Sequence, residues 1–352
     1  MLLYGCENVF KKFYKGYIMK KIISLCLCFL LVGCYPSVSK KSEKNNEIDD
    51  FSILEENEIL EFKIIDQKLI SIYRKNNQIY LYEYSLNKKS ITLHKKIYDD
   101  VVYRVKVQSL NKGYAIQIEN ILLIFENSKL IKKIALQRYV EDYDWDSVCI
   151  SLNKKLIACM QYIQGEQVLK LIDLNNDTVE NLMILETIPK KLNAIWKLAF
   201  CDQRHLIYCG GTYLQEGAQT TGCYGVIDII NKNYELYNSP AVSQSVFKNK
   251  ILIHNQSEDT NQEAISLYYN NGFKNLSLSY SDSVNAYLSN GEIIILEKGS
   301  INEITPYVIF NHIKYDSFDL DNIYFCEYYA HKLFILGVKD GKNKIIERNV
   351  DE

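Results

Sequence analysis

Seven short stretches of this 352-residue chain share one pattern, and their spacing constrains the fold more than any other feature. They are residues 68–72 (Lys-Leu-Ile-Ser-Ile), 113–117 (Gly-Tyr-Ala-Ile-Gln), 155–159 (Lys-Leu-Ile-Ala-Cys), 205–209 (His-Leu-Ile-Tyr-Cys), 250–254 (Lys-Ile-Leu-Ile-His), 291–295 (Gly-Glu-Ile-Ile-Ile) and 332–336 (Lys-Leu-Phe-Ile-Leu). Their first residues lie 45, 42, 50, 45, 41 and 41 apart. An interval in the forties holds about four short strands, as the blades of a β-propeller do. The third position is always apolar (Ile70, Ala115, Ile157, Ile207, Leu252, Ile293, Phe334), with mostly apolar neighbours on both sides. A strand apolar on both faces must be covered on both faces. The second strand of a propeller blade meets that condition, sandwiched between two neighbouring blades.

From about Ile59 onward the chain alternates short apolar runs with polar turns and shows no helical period. Its 28 Tyr and many Ile favour strands, while Pro (4) is scarce. One unit is legible in full: an inner strand over 147–152, a second over 155–161, a third over 168–174, a turn at Asn175-Asn176-Asp177 and an outer strand near 178–185. This stretch, "ISLNKKLIACMQ…LKLIDLNNDT", resembles a blade of TolB-type or WD-repeat-like propellers, with Asn153 where those families usually carry Asp. The expected fold is all-β, a seven-bladed propeller. A β-sandwich and an eight-bladed ring are the alternatives. The seventh unit, 323–350, is one strand short, and residues 50–54 are expected to supply that strand and close the ring.

The propeller is expected over 51–352, behind two other segments. Residues 22–33 form an apolar run too short for a membrane helix, which needs roughly 20 residues. Behind the basic pair Lys20-Lys21 it has the length of a signal h-region. It ends in Leu31-Val32-Gly33-Cys34, which resembles the lipobox of bacterial lipoproteins. That resemblance implies lipidation of Cys34 and cleavage before it. Residues 1–33 are then a signal region, in which 1–18 look like an extension upstream of a true start at Met19. Residues 34–50 are the lipidated cysteine and a polar tether. The expected location is the extracytoplasmic face of the cell membrane.

Without residues 1–33 the chain carries 36 basic against 42 acidic side chains, a net charge near −6. Nucleic acid is therefore excluded as a partner, because such affinity comes from basic clusters that release counterions. The expected partners are the membrane, through the lipid, and a protein or a glycan.

No catalytic constellation stands out, and no cofactor or metal is expected. There is no C-x-x-C, H-E-x-x-H, G-x-S-x-G or P-loop pattern. Cys159 and Cys209 share the fifth position of the repeated strand, and Cys149 and Cys326 each lie six residues before one. Such equivalent positions sit a sheet spacing apart, around 10 Å, beyond disulfide reach. They are expected to be core fillers. Cys209 and Cys223 differ, since they flank one hairpin with its tip near 215–218 and could form a cross-strand disulfide. The alternating carboxylates of Glu141-Asp142-Tyr143-Asp144-Trp145-Asp146 lack the Gly and distal Glu of a calcium loop, and are expected to form a solvated loop. Tyr143, Trp145, Trp196 and Tyr213 fall near blade ends and form a candidate binding patch. The functional expectation is a non-enzymatic ligand- or protein-binding scaffold. The alternative is an enzyme of lyase or glycan-hydrolase type, with carboxylates or histidines converging at the mouth of the central channel.

Overall fold

The computed structural model describes residues 46–47, 51–164, 166–184, 194–213, 220–237, 241–256, 263–269, 272–276, 284–297, 306–316 and 318–350. The lipobox and Cys34 lie outside them. The described strands form seven four-stranded antiparallel sheets arranged as a seven-bladed β-propeller. The inner strands are Glu58–Ile65, Val105–Ser109, Cys149–Ile150, Ala194–Phe200, Ala241–Phe247, Val284–Ser289 and Asn322–Tyr329. Each is followed outward by a second, third and outer strand. All seven repeated stretches are second strands.

Among the described residues the core consists of seven apolar clusters, one at each junction between neighbouring blades. Ile70 and Ile72 of blade 1 pack on Ile116 of blade 2. Ile207 and Cys209 of blade 4 pack on Ile251 and Ile253 of blade 5. Alternate residues of a second strand therefore belong to different junctions, the period-two consequence of the pleat. Each buried Val, Leu or Ile contributes about 1.5–3 kcal/mol.

The repeat frame needs correction in two blades. The third position faces the following blade in blades 1, 2, 4, 5 and 7, but Ile157 packs back on blade 2 and Ile293 back on blade 5. Ala158 and Ile294 take the forward-facing places, and Ile293 is only half-buried rather than sealed between blades. The turns cause the shift. In blade 6 a two-residue turn, Asn290-Gly291 (φ 49° and 85°), starts the second strand at Glu292. In blade 3 the strand starts at Leu156, paired with Asp173. Cys159 and Cys209 are consequently not equivalent, nor are Cys149 and Cys326. All four are nevertheless buried free thiols in four different clusters.

Seven of the described hairpins turn on two residues with positive φ, including Asp66-Gln67, Asn76-Asn77, Asn127-Ser128 and Ala330-His331. This geometry matches the strand twist and favours Asn, Asp or Gly. In blade 3 the Asn153 side chain accepts from the Lys155 amide at 3.1 Å and from the Ser151 hydroxyl at 2.8 Å, so it supplies the turn acceptor, as Asp202 does at the corresponding turn of blade 4.

Ring closure differs from expectation in its residues. The outer strand of blade 7 is Asn46–Glu47, paired with Ile346 and Glu347. Of the residues expected to supply it, 50 lies outside the described residues and 51–54 do not pair; Ser52–Glu55 is a single helical turn. Phe51 and Leu54 are too apolar for an edge strand, and they are buried against Tyr82 and Tyr84 at the junction of blades 7 and 1.

Candidate functional site

Inner strands line the channel and expose backbone groups toward the axis, which must find partners. Side chains of one blade supply them to the next. Gln108 donates to the Ile150 carbonyl (2.6 Å) and accepts from the Ile150 amide (3.1 Å). Ser245 accepts from the Leu288 amide (2.9 Å), Ser289 from the Tyr328 amide (2.7 Å) and Tyr287 from the Cys326 amide (3.0 Å). Glu327 accepts from the Ile64 amide (3.4 Å), joining blade 7 to blade 1.

One mouth of the channel is bridged. At the end where inner strands turn into second strands, the Lys248 amide donates to Ser109 of blade 2 (2.8 Å), and the Lys248 ammonium pairs with Asp66 of blade 1 (3.1 Å). We call this the lower face. The upper face carries the connections from second to third strands and from each outer strand to the next blade.

Near the upper face the inner strands of blades 1, 4, 5 and 7 carry a one-residue bulge on the same rung. Two inner-strand residues flank the bulge and pair with the fifth and sixth residues of the second strand: Glu61 and Ile59 with Ile72 and Tyr73, Lys197 and Ile195 with Cys209 and Gly210, Ser243 and Ala241 with His254 and Asn255, Phe325 and Ile323 with Leu336 and Gly337. The extra residues are Leu60, Trp196, Val242 and Tyr324. Bulges re-aim side chains and are common beside functional sites. Here they leave Trp196 37% and Tyr324 39% exposed. Two glycines make room for the displaced backbone. A Cβ on Gly210 would sit 2.1 Å from the Ala194 carbonyl oxygen, and one on Gly337 would sit 2.4 Å from that of Asn322, the equivalent residue.

Three of the four aromatics proposed from sequence lie along one arc of this upper face. Tyr143 and Trp145 both donate to the Glu119 carbonyl (3.3 and 3.0 Å), wedging blade 3 against blade 2. The Arg104 guanidinium lies 6.0 Å from the centre of the Trp145 ring. Tyr143 bridges to Gln161; the next residue, Tyr162, accepts from Gln167 (2.8 Å), and Gln167 accepts from the Ile195 amide (3.0 Å), one residue before Trp196. Tyr143 and Trp145 are half-buried with their polar atoms engaged, so they shape the rim, whereas Trp196 is free to touch a ligand. The Tyr213 backbone pairs with Thr220; its side chain lies outside the described residues. Sequence reasoning missed Tyr103 (85% exposed), Tyr162 and Tyr324 on this face. No residue pattern marks them, because only the bulge and the loop positions turn them outward.

The channel wall is charged. Glu61 and Lys63 come from blade 1, Lys106 from blade 2, Lys197 from blade 4 and Glu327 from blade 7. Glu61 and Lys106 are half-buried. Burial raises the Glu61 carboxyl, with Lys63 pulling it back, and burial lowers the Lys106 ammonium, with Lys197 and Lys63 adding to that effect. Lys106 donates to the Asp146 and Val148 carbonyls (3.2 and 2.8 Å). Glu327 is 4% exposed, and burial pushes its carboxyl up to about 7 against the pull of Lys63 and Ser289.

Other polar clusters hold the fold. Glu83 is fully buried and accepts from Lys68 (2.7 Å), Tyr114 (2.9 Å), Thr92 and Ser128. Burial would raise this carboxyl, but those four hydrogen bonds outweigh it and hold it low. His94 bonds Tyr73 (2.6 Å) within an aromatic stack, and His205 sits on the lower face. Cys209 and Cys223 are free thiols, which corrects the expectation of a disulfide. Cys209 is opposite Tyr224 and Cys223 opposite Gly210, one residue out of register. Their side chains therefore leave opposite faces of blade 4, into the junctions with blades 5 and 3.

No protein-family model matches this chain, and none of the curated proteins matches it in sequence. Solved structures match in fold. An oligogalacturonate lyase in complex with manganese is 9% identical, with 84% of this chain and 90% of that chain covered and a TM-score of 0.58. TolB from Acinetobacter baumannii is 12% identical over 80% of this chain and 79% of that one, with a TM-score of 0.38. The acylaminoacyl peptidase of Pyrococcus horikoshii is 14% identical with a TM-score of 0.46; 87% of this chain matches about half of that enzyme's length (48%). At these identities the likeness is one of fold alone.

Proposed function

We propose that the chain is a lipid-anchored, extracytoplasmic propeller that binds a protein or glycan partner on its upper face without transforming it. The observation that carries this reading is the bulge repeated on one rung of four inner strands, with Trp196 and Tyr324 turned out to solvent on the upper face. An exposed aromatic ring combines a large apolar area with few rotatable bonds, and such residues dominate binding hot spots. The lipid anchor rests on the lipobox resemblance of residues 31–34.

The test is crosslinking in intact cells and pull-down of the tethered protein, comparing wild type with Trp196→Ala/Tyr324→Ala. Both side chains are solvent-exposed, so the fold should survive. Loss of the captured partner supports the reading; an unchanged capture profile rejects the upper face as the site. The anchor is tested separately by mass spectrometry of the mature N-terminal peptide. A lipid-modified Cys34 with nothing before it supports the anchor, and a chain beginning elsewhere or an unmodified Cys34 thiol rejects it.

A second reading, an enzyme acting at the channel mouth, is favoured by one observation: Glu61, Glu327 and Lys63 share the channel wall, and a carboxyl raised to about 7 suits general acid–base work. Against it, Glu327 already accepts from the Ile64 amide and from Ser289, holding three blades together near the bridged end.

A further inference from the structure

We propose that the turn between the inner and second strands of blade 4 is a transition-metal site, in which Cys201 Sγ, Asp202 Oδ2 and His205 Nδ1 hold a zinc-class divalent ion. The three donor groups lie within 4.8 Å of one another on one five-residue loop. The loop is on the lower face, away from the proposed binding face. The absence of a two-cysteine motif excludes a common zinc pattern and leaves a mixed thiolate, carboxylate and imidazole set, which zinc accepts.

The donors are oriented before any ion arrives. Asp202 Oδ1 accepts from the Arg204 and His205 amides, both at 2.6 Å, which locks the carboxylate. That leaves Oδ2 directed at His205 Nδ1, 2.8 Å away. Cys201 is buried at the junction of blades 4 and 5, with its sulfur donating to the His205 carbonyl at 3.3 Å and the Tyr268 hydroxyl against it. The side chains of Asp202 and His205 are 39% and 27% exposed, so solvent reaches the site. A tetrahedral ion would take three protein donors here and a water as the fourth, the arrangement of an open rather than a closed zinc site. Thiolate and carboxylate balance its double charge.

Binding exchanges existing bonds for metal bonds. The thiol, pushed up to about 12 by burial, is protonated without metal; on coordination its proton leaves to solvent and sulfur bonds the ion. The Nδ1···Oδ2 hydrogen bond gives way to two bonds through the metal, with the imidazole proton held on Nε2. Arg204 does not compete for the carboxylate, because its guanidinium is paired with Asp228.

Cobalt(II) titration of the full chain in detergent tests the site, because a cobalt–thiolate bond gives a near-ultraviolet charge-transfer band. One tightly bound Co²⁺ per chain with that band, displaced by Zn²⁺, is expected. Cys201→Ser should abolish the band. His205→Gln should weaken Co²⁺ binding by roughly tenfold or more, since even outer partners of metal ligands matter that much. Asp202→Asn keeps the Oδ1 acceptor, and hence the turn, while removing the charge; it should weaken binding comparably. No band in wild type, or an affinity unchanged in His205→Gln, overturns the proposal. His205→Gln decides even if Cys201→Ser fails to fold, and it leaves the other cysteines untouched.

Discussion

Gly210→Ala is the substitution that most directly probes how the upper face is built. The added methyl would meet the Ala194 carbonyl oxygen at 2.1 Å and the Ile195 Cα at 3.3 Å. Both are backbone atoms of the bulged strand, so no side-chain rotation relieves the contact. The inner strand must shift away or lose its bulge. Overpacking of this kind costs about 1–3 kcal/mol, and disrupting one ladder hydrogen bond adds about 1 kcal/mol. Alanine narrows the unfolded ensemble and returns about 0.4–1 kcal/mol. The expected net destabilisation is about 1–3 kcal/mol. Gly272→Ala is the control, because a Cβ there meets nothing within 4 Å; it should change stability by less than about 0.5 kcal/mol. Urea unfolding followed by tryptophan fluorescence measures both. The chain has two tryptophans, so a Trp145→Phe background leaves Trp196, the bulged residue itself, as sole reporter. Acrylamide quenching of native Trp196 should change in Gly210→Ala and stay constant in Gly272→Ala. Equal stability of the two variants, with equal quenching, would refute the claim that Gly210 is required by the bulge.

Other outcomes follow from burial and charge. Ile207→Asp places an unpaired charge in the junction of blades 4 and 5, where Ile207 is fully buried, and should destabilise by several kcal/mol; an unchanged melting temperature contradicts the packing. Cys149, Cys159, Cys209, Cys223 and Cys326 should resist a thiol reagent in the native protein and react in denaturant without reductant; silence in denaturant would mean disulfides. Glu327, raised from 4.5 to about 7, binds more protons folded than unfolded between those values, so its contribution is present at low pH and is lost as pH rises through about 7, by roughly 3 kcal/mol. Glu327→Gln keeps an acceptor for Ile64 and Ser289 and should remove that loss, making the variant more stable than wild type at pH 8 but not at pH 5. Parallel pH–stability curves would reject the assignment.

Seven blades were legible in the sequence because a strand covered on both sides has no polar face, and seven such strands recur at nearly even spacing. The blade-3 strands were legible for the same local reasons, whereas the role of Asn153 as turn acceptor came from the structure. The exact frame was not. One residue of difference in a turn inverts every side chain of the strand that follows, so Ile157 and Ile293 changed faces, and Cys209 and Cys223 parted although one hairpin carries both. The rim aromatics Tyr143, Trp145 and Trp196 were named correctly as near blade ends. Nothing in the sequence indicated that the first two are pinned to the Glu119 carbonyl and the third turned outward. The sites that depend on contact between distant segments belong to the tertiary structure alone: the pairing of Asn46–Glu47 with blade 7, the Lys248 bridge across the lower mouth, and the shared wall of Glu61, Lys63 and Glu327. Local sequence sets strand, turn and apolar pattern through short-range sterics and burial. The channel exists only once the ring closes, because its wall is built from residues up to 263 positions apart.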